Sequence, residues 1–355
     1  MSQGNDEMQQ MGGPAESTWP TGERLGWVGA DLSRRCIEHA LTPDSVGLLT
    51  RRAQALLEGG RSVDTLRAED LEVPGLAQTF ADLARQLRWG PGLVLISGFP
   101  VGTASLEELR AMFWLVGAQF GDAVSQNIRG QRLGEVRVRD DGIQNRAYNR
   151  GGPLIFHCDR ADMISLLCRT KAKSGGESLF VSSLAVRAIV ARQRPELMPI
   201  FERGFFQHLG NEAPPGTPEI TDHRLPVFGT SEGTMSCLFS GNTSLRMQRE
   251  NLAELLSEED EAALIYLRSV VELPELAFHL PLEEGDMIIV NNFEVLHSRA
   301  DFQDDPERPR SLLRLWLQGR PARPLPESMH CQRNTAGRRG VDPLPLHVLA
   351  ERGLA

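Results

Sequence analysis

Lysine is almost missing from this chain of 355 residues. Lys171 and Lys173 are its two lysines, so arginine supplies nearly all of the 38 basic side chains. A GC-rich genome favours such a skew, and a functional arginine here has to be argued from position rather than type. Cysteine is scarce and odd in number. Cys36, Cys158, Cys168, Cys237 and Cys331 form no CxxC pair, which argues against a disulfide framework or a cysteine-rich zinc module and predicts reduced thiols. The chain lacks a run of about 18 apolar residues, the length that spans a bilayer. It also lacks the basic start and apolar core of a signal peptide, so the expected location is the cytoplasm. Nor is there a cationic excess. The formal charge is −9 at pH 7, whereas phosphate neutralisation needs clustered cations, so neither nucleic acid nor membrane is an expected partner. The pairs Arg34-Arg35, Arg51-Arg52 and Arg338-Arg339 read as solvated surface.

What is present suits one large domain: 41% of the residues are hydrophobic, and the length allows a sizeable core. Residues 1–22 are small, polar or acidic and are expected to form a disordered tail, leaving residues 23–355 as a single domain. Apolar residues at three and four spacing between Pro43 and Leu87 predict amphipathic helices. A buried strand follows in GPGLVLISGFP, and Ser105 with Glu108 has the form of a capping box opening a helix to about Phe120. Beyond this helical first third, short apolar runs recur between turn signals (LIFH, ISLLC, SLFVS, CLFSG, FHLPL, MIIVNN, SLLRLWL), with helical patterns at 184–203 and 256–272. The fold expected is α+β, a double-stranded β-helix or cupin-like jelly roll with flanking helices. The Pro-, Gly- and Thr-rich stretch from Asn211 to Gly233 is expected to belong to an inserted lid near 211–250.

Three residues stand out chemically. His157 and Asp159 lie in PLIFHCD, where alternate residues of an extended chain point the same way, and His297 ends GDMIIVNNFEVLH. Two imidazoles and one carboxylate occupy one face of an octahedron and leave three cis positions open, as in non-haem Fe(II) oxygenases; a structural zinc site leaves none.

The ordered series HCD at 157–159, SGGES at 174–178, GDMIIVNN at 285–292, LHSR at 296–299 and RSLLRLWL at 310–317 resembles the Fe(II)- and 2-oxoglutarate-dependent dioxygenases of the taurine dioxygenase and 2,4-dichlorophenoxyacetate dioxygenase type, over roughly residues 92–320. The resemblance implies His157, Asp159 and His297 as iron ligands. It implies Arg310 as the partner of the distal carboxylate of 2-oxoglutarate, Ser178 as a hydroxyl donor to that carboxylate, and Arg314 as a contact to cosubstrate or to an anionic substrate group. The connection through DDPERPR is longer than in the taurine enzyme, so Arg308 is an alternative anchor. Fe(II), 2-oxoglutarate and O2 are the implied cofactor set, with succinate and carbon dioxide released. Hydroxylation of a substrate C–H is the default, since related halogenases carry a small residue where this chain has Asp159. Desaturation, epoxidation and ring formation run on the same scaffold.

Around this set, Asn291 and Asn292 read equally as groups orienting a ligand imidazole or as strand-end amides. Cys158 is expected to face away from the metal, and His208 and His279 to be structural. Arg137, Arg139, Arg160 and Arg246 are candidate anion contacts whose alternative is surface ion pairing. The expected partner is a small anionic or amino-acid-like metabolite, with a homo-oligomer compatible. Two rival classes remain at this point: a zinc hydrolase using the same three side chains, and a jelly-roll binding protein without turnover.

Overall fold

Strand β12 (Met287–Asn291) is buried along its whole length because each of its faces meets a different apolar layer. Met287 and Ile289 face helices, while Ile288 and Val290 face a second sheet. The same period of two runs through β2 (Leu93–Ser97), where Val94 and Ile96 point to the helices and Leu93 and Leu95 inward. The computed structural model describes residues 19–22, 24–60, 71–138, 152–209, 213, 218–243, 247, 250–330 and 340–352.

The larger sheet has the order β1 (Glu38–Ala40), β2, β12, β6 (Met163–Thr170), β15 (Ser311–Gly319), β3 (Gly121–Val124), with β4 (Leu133–Val136) also pairing β15. Apart from the parallel β1–β2 pair, its ladders are antiparallel. The smaller sheet runs β11 (Phe278–Leu280), β8 (Ser178–Ser182), β13 (Val295–Arg299), β5 (Leu154–His157). Two further pairs are β9 (Phe228–Ser231) with β10 (Thr234–Cys237), and β7 (Ser174–Gly175) with β14 (Phe302–Gln303). Ile164, Ile288, Val290 and Trp316 of the first layer meet Phe180, Phe278, Leu280 and Val295 of the second, forming the interior of the jelly roll. Helices Pro43–Glu58, Ala77–Trp89 and Leu106–Gly117 cover the outer face of the larger sheet; Ser183–Gln193, Met198–Arg203 and Glu258–Val271 cover that of the smaller.

Local chemistry explains the helix limits. Ser105 Oγ accepts from Glu108 N at 3.2 Å while Glu108 accepts from Ser105 N at 2.8 Å, the reciprocal cap expected there. Ser257 and Asp260 repeat it. The pattern at 184–203 is two helices rather than one, because Pro195 has no N–H and pushes Arg194 out of the helical region, to φ −141° and ψ 60°.

One boundary differs from expectation. Residues 1–18 and Glu23 lie outside the described residues, but Trp19, placed in the tail, is 4% exposed and donates from Nε1 to Pro321 O at 3.0 Å. Pro20 O accepts from Thr234 and Gly22 N donates to Gly233 O. An aromatic side chain with a place to bury its ring and satisfy its N–H orders a segment that composition alone reads as tail. In the expected lid, residues 210–212, 214–217, 244–246, 248 and 249 lie outside the described residues. The run after β10 follows β5: Cys158 N donates to Phe239 O, Gly241 N to Phe156 O, and Ser240 bridges His157.

Candidate metal centre

β5 and β13 are adjacent antiparallel strands whose register sets His157 directly across from His297. The ring centroids are 4.3 Å apart. Asp159, just past the end of β5, turns its carboxylate to both: Oδ1 is 3.8 Å from Nε2 of His157 and Oδ2 is 3.8 Å from Nε2 of His297. The three ligand atoms lie within 4.8 Å of one another, and no other such group of His, Cys, Asp or Glu occurs among the described residues. Octahedral bonds of about 2.1 Å put cis donors about 3 Å apart, so shifts of less than about 1 Å bring all three onto one ion. Two neutral imidazoles and a carboxylate fit ferrous iron and leave three positions for other ligands.

Each side chain is held in the form a metal requires. Nδ1 of His157 lies 2.8 Å from Ile155 O, so that nitrogen carries the proton and Nε2 keeps its lone pair. Burial, with His157 and Arg314 close by, pushes His297 down to about 3 against the opposing pull of Asp159, so its ring is neutral. Its Nδ1 is buried and makes no hydrogen bond among the described residues. Burial raises the Asp159 carboxyl, but His297, His157, Arg314 and the Trp316 N–H outweigh it; the net shift is downward and the group stays ionised.

Trp316 donates from Nε1 to Asp159 Oδ2 at 2.9 Å. Asn292 fixes the main chain: its Oδ1 accepts from Asp159 N at 2.9 Å, and its Nδ2 donates to the carbonyls of Asp159 and Ala161, both at 2.7 Å. It therefore acts on the ligand loop and not on an imidazole. Asn291 accepts from Arg323 instead, at 3.0 Å. Cys158 Sγ donates to Cys237 O at 3.3 Å and packs beneath the smaller sheet, facing away from the three donors.

A cationic end adjoins this group. Arg310 is 5% exposed, lies 5.3 Å from the Phe302 ring centroid, and has no carboxylate at ion-pair distance from its guanidinium among the described residues. Burial lowers its pKa. Arg299 shares that ring at 4.6 Å, and its strand partner is Ser178. Gly175 and Gly176 both take positive φ, and a Cβ on Gly175 would stand 2.3 Å from Asp301 O, so this turn beside Arg310 and Phe302 is built for glycine. Arg299 is two residues from His297 on the same face of β13, about 7 Å along the strand. Arg308 is exposed and pairs with Glu284 at 2.6 Å. Arg314 donates from Nε to Gln126 Oε1 at 2.6 Å and lies over Trp316 at 5.2 Å.

Of the remaining candidates, Arg137 is half-exposed, 3.8 Å from Glu135, and Arg139 and Arg246 lie outside the described residues. His208 sits 3.3 Å from Glu219, and His279 is exposed on β11. Trp316, Gln126 and Arg299 were not anticipated as site residues. The signal for Trp316 was there: it follows Arg314 by two and so shares its face.

With the geometry established, comparison with known proteins defines the class. The chain belongs to the taurine catabolism dioxygenase TauD, TfdA family, whose model matches residues 58–316. It is thus a dioxygenase of the Fe(II)- and 2-oxoglutarate-dependent class, and the zinc-hydrolase reading falls away. It is 29% identical over 289 residues to FR-33289 synthase of Streptomyces rubellomurinus, covering 79% of this chain and 85% of that protein. It is 23% identical over 322 residues to the taurine hydroxylase-like protein SAT17 of Stachybotrys chartarum, covering 82% and 78%. Among solved structures, an asparagine oxygenase in complex with Fe(II), hydroxyasparagine and succinate matches in fold with a TM-score of 0.61 at 18% identity, covering 79% of this chain and 93% of that one. The non-haem iron oxygenase OrfP with Fe and alpha-ketoglutaric acid gives 0.58 at 14% identity, covering 79% and 93%. No helix among the described residues is long and apolar enough to cross a membrane.

Proposed function

We propose that His157, Asp159 and His297 bind the iron, that Arg310 with Ser178 holds the distal carboxylate of 2-oxoglutarate, and that the enzyme hydroxylates an unactivated C–H bond of a small anionic or amino-acid-like metabolite. The observation that carries this reading is the pairing of the three-donor group with a buried guanidinium that no described carboxylate neutralises. Iron, 2-oxoglutarate and dioxygen supply the oxidation when bound, with succinate and carbon dioxide as co-products. The chain supplies placement. Arg310 offers a planar fork that bonds both oxygens of a carboxylate, in a buried setting where water competes weakly. Ser178, buried on the inward face of β8, adds a hydroxyl, and Arg299 adds positive charge. Arg314, fixed by Gln126, faces the metal group with a charge suited to an anionic substrate.

The substrate class is supported by the structural neighbours, an asparagine oxygenase solved with 2S,3S-3-hydroxyasparagine and OrfP solved with (3S)-hydroxy-L-Arg. A single domain that takes in Trp19 and the residues following it, working in the cytoplasm, belongs to the same proposal. Anaerobic titration with Fe(II) and 2-oxoglutarate tests the site through a visible charge-transfer band. Substrate-triggered succinate release across a panel of amino acids and small anions tests the chemistry. Absence of the band at saturating cosubstrate would sink the assignment of the three ligands.

A further inference from the structure

The chain returns to the metal group after the family-matched segment has ended at residue 316. Gly340 N donates to Arg160 O at 2.8 Å, one residue beyond Asp159. Val341 N donates to Ser125 O at 3.0 Å and Leu344 N to Ile128 O at 2.8 Å; these bonds bracket Gln126, the residue that fixes Arg314. Val341, Leu344, Val348 and Leu349 are buried in one apolar cluster with Val124, Ile128, Ile164 and Trp316. Gly340 has φ +98°, and a Cβ there would stand 2.5 Å from Ser125 O, so the approach demands glycine. One short segment therefore reaches three groups around a single carboxylate: the main chain beside Asp159, the indole that donates to it, and the Gln126–Arg314 pair.

We propose that residues 340–349 are a positioning element of the iron site, holding Asp159, Trp316 and Arg314 in place for the metal. This rests on the reading of Asp159 as a ligand. Groups that orient a ligand raise affinity by removing its alternative conformers before the metal arrives. Loosening the segment frees the Arg160 carbonyl and withdraws apolar cover from Trp316, so the carboxylate samples more orientations. Apo protein then binds Fe(II) more weakly although all three donors remain.

The test uses the full chain with Gly340→Ala, Leu344→Ala and, as a control on the same segment, Leu346→Ala, whose side chain is 79% exposed. Anaerobic Fe(II) affinity is measured by calorimetry, and hydrogen exchange of residues 157–163 is followed without metal. Gly340→Ala and Leu344→Ala are expected to bind about tenfold more weakly and to exchange faster, with Leu346→Ala unchanged. Wild-type affinity and exchange in both folded variants would overturn the proposal. Asp159→Ala separates the two readings: if it binds iron as well as wild type, the ligand assignment fails; if it loses iron while the segment variants keep it, only the positioning role fails. In the unaltered protein, Fe(II) should slow exchange in 340–349 as well as in 157–163, and protection confined to 157–163 refutes the inference without any variant.

Discussion

The indole of Trp316 and the carboxylate of Asp159 are 157 positions apart in sequence and joined by one hydrogen bond of 2.9 Å. The donor sits on an inner strand of the larger sheet and the acceptor just past an outer strand of the smaller, so this bond ties the two layers at the metal group. It also occupies one lone pair of Oδ2. Trp316→Phe removes the donor and keeps most of the ring's bulk. Fe(II) affinity should fall about 10- to 100-fold with little change in melting temperature. Unaltered affinity in calorimetry would show that packing, not the N–H, is what matters.

Arg310→Ala should act on the cosubstrate. Removing one partner of a desolvated charge pair costs about 2–4 kcal/mol, so KM for 2-oxoglutarate should rise about 30- to 1,000-fold while Fe(II) affinity is kept. Ser178→Ala, which removes one neutral donor, should cost about 1 kcal/mol, or roughly fivefold. An Arg308→Ala variant serves as the contrast and should keep the wild-type KM, because its guanidinium faces Glu284 on the surface.

Asn292→Ala breaks three hydrogen bonds to the loop that carries Asp159. Asn292 is fully buried, so the main-chain groups it leaves behind lose partners, and the expected loss of stability is about 1–3 kcal/mol for each group left dry. Urea denaturation should show a lower midpoint, and Fe(II) should recover part of it, because a ligand that binds the folded state shifts the equilibrium towards it. A midpoint equal to wild type in metal-free protein would mean that the loop holds itself.

Thiol chemistry should follow burial. Burial pushes Cys168 up to about 12 from 9.0, outweighing nearby Arg310, and Cys237 is also raised, while Cys36 is exposed. Iodoacetamide at pH 8 should label Cys36 and spare Cys168 and Cys237 until denaturant is added, as peptide mass spectrometry can read. Because the folded pKa of Cys168 lies above its unfolded value, its neutral thiol supports the fold fully below about pH 8.5, and that support is lost as pH rises towards 12. Cys168→Ala should therefore flatten the decline in melting temperature across that alkaline window.

The parts of this molecule legible in sequence are those where chemistry narrows the choice of residue. The convergence of HCD with a distant LHSR was readable because few sets of side chains suit a metal, and Ser105 with Glu108 because a reciprocal cap needs those types at that spacing. Long-range complementarity was not readable in the same way. Nothing local to Trp316 says that its N–H meets a carboxylate on the other sheet, and nothing near Gly340 points to Arg160. The helix break at Pro195 was legible by a simple rule and was overridden by the apolar periodicity around it. Trp19 shows the converse: a lone aromatic in polar surroundings became ordered because Arg88 and Arg323 flank its ring, at 5.7 and 4.9 Å.

β5 ends the ladder of its sheet, flanked beyond only by the run at 239–241, and it carries a donor whose counterpart lies on an inner neighbour. An ion shared by the pair is also a rivet at that rim. With the proposed ligand set, iron supply and the cohesion of the barrel mouth are linked, and starvation for the metal should appear first as fraying around His157, well before the molecule as a whole comes apart.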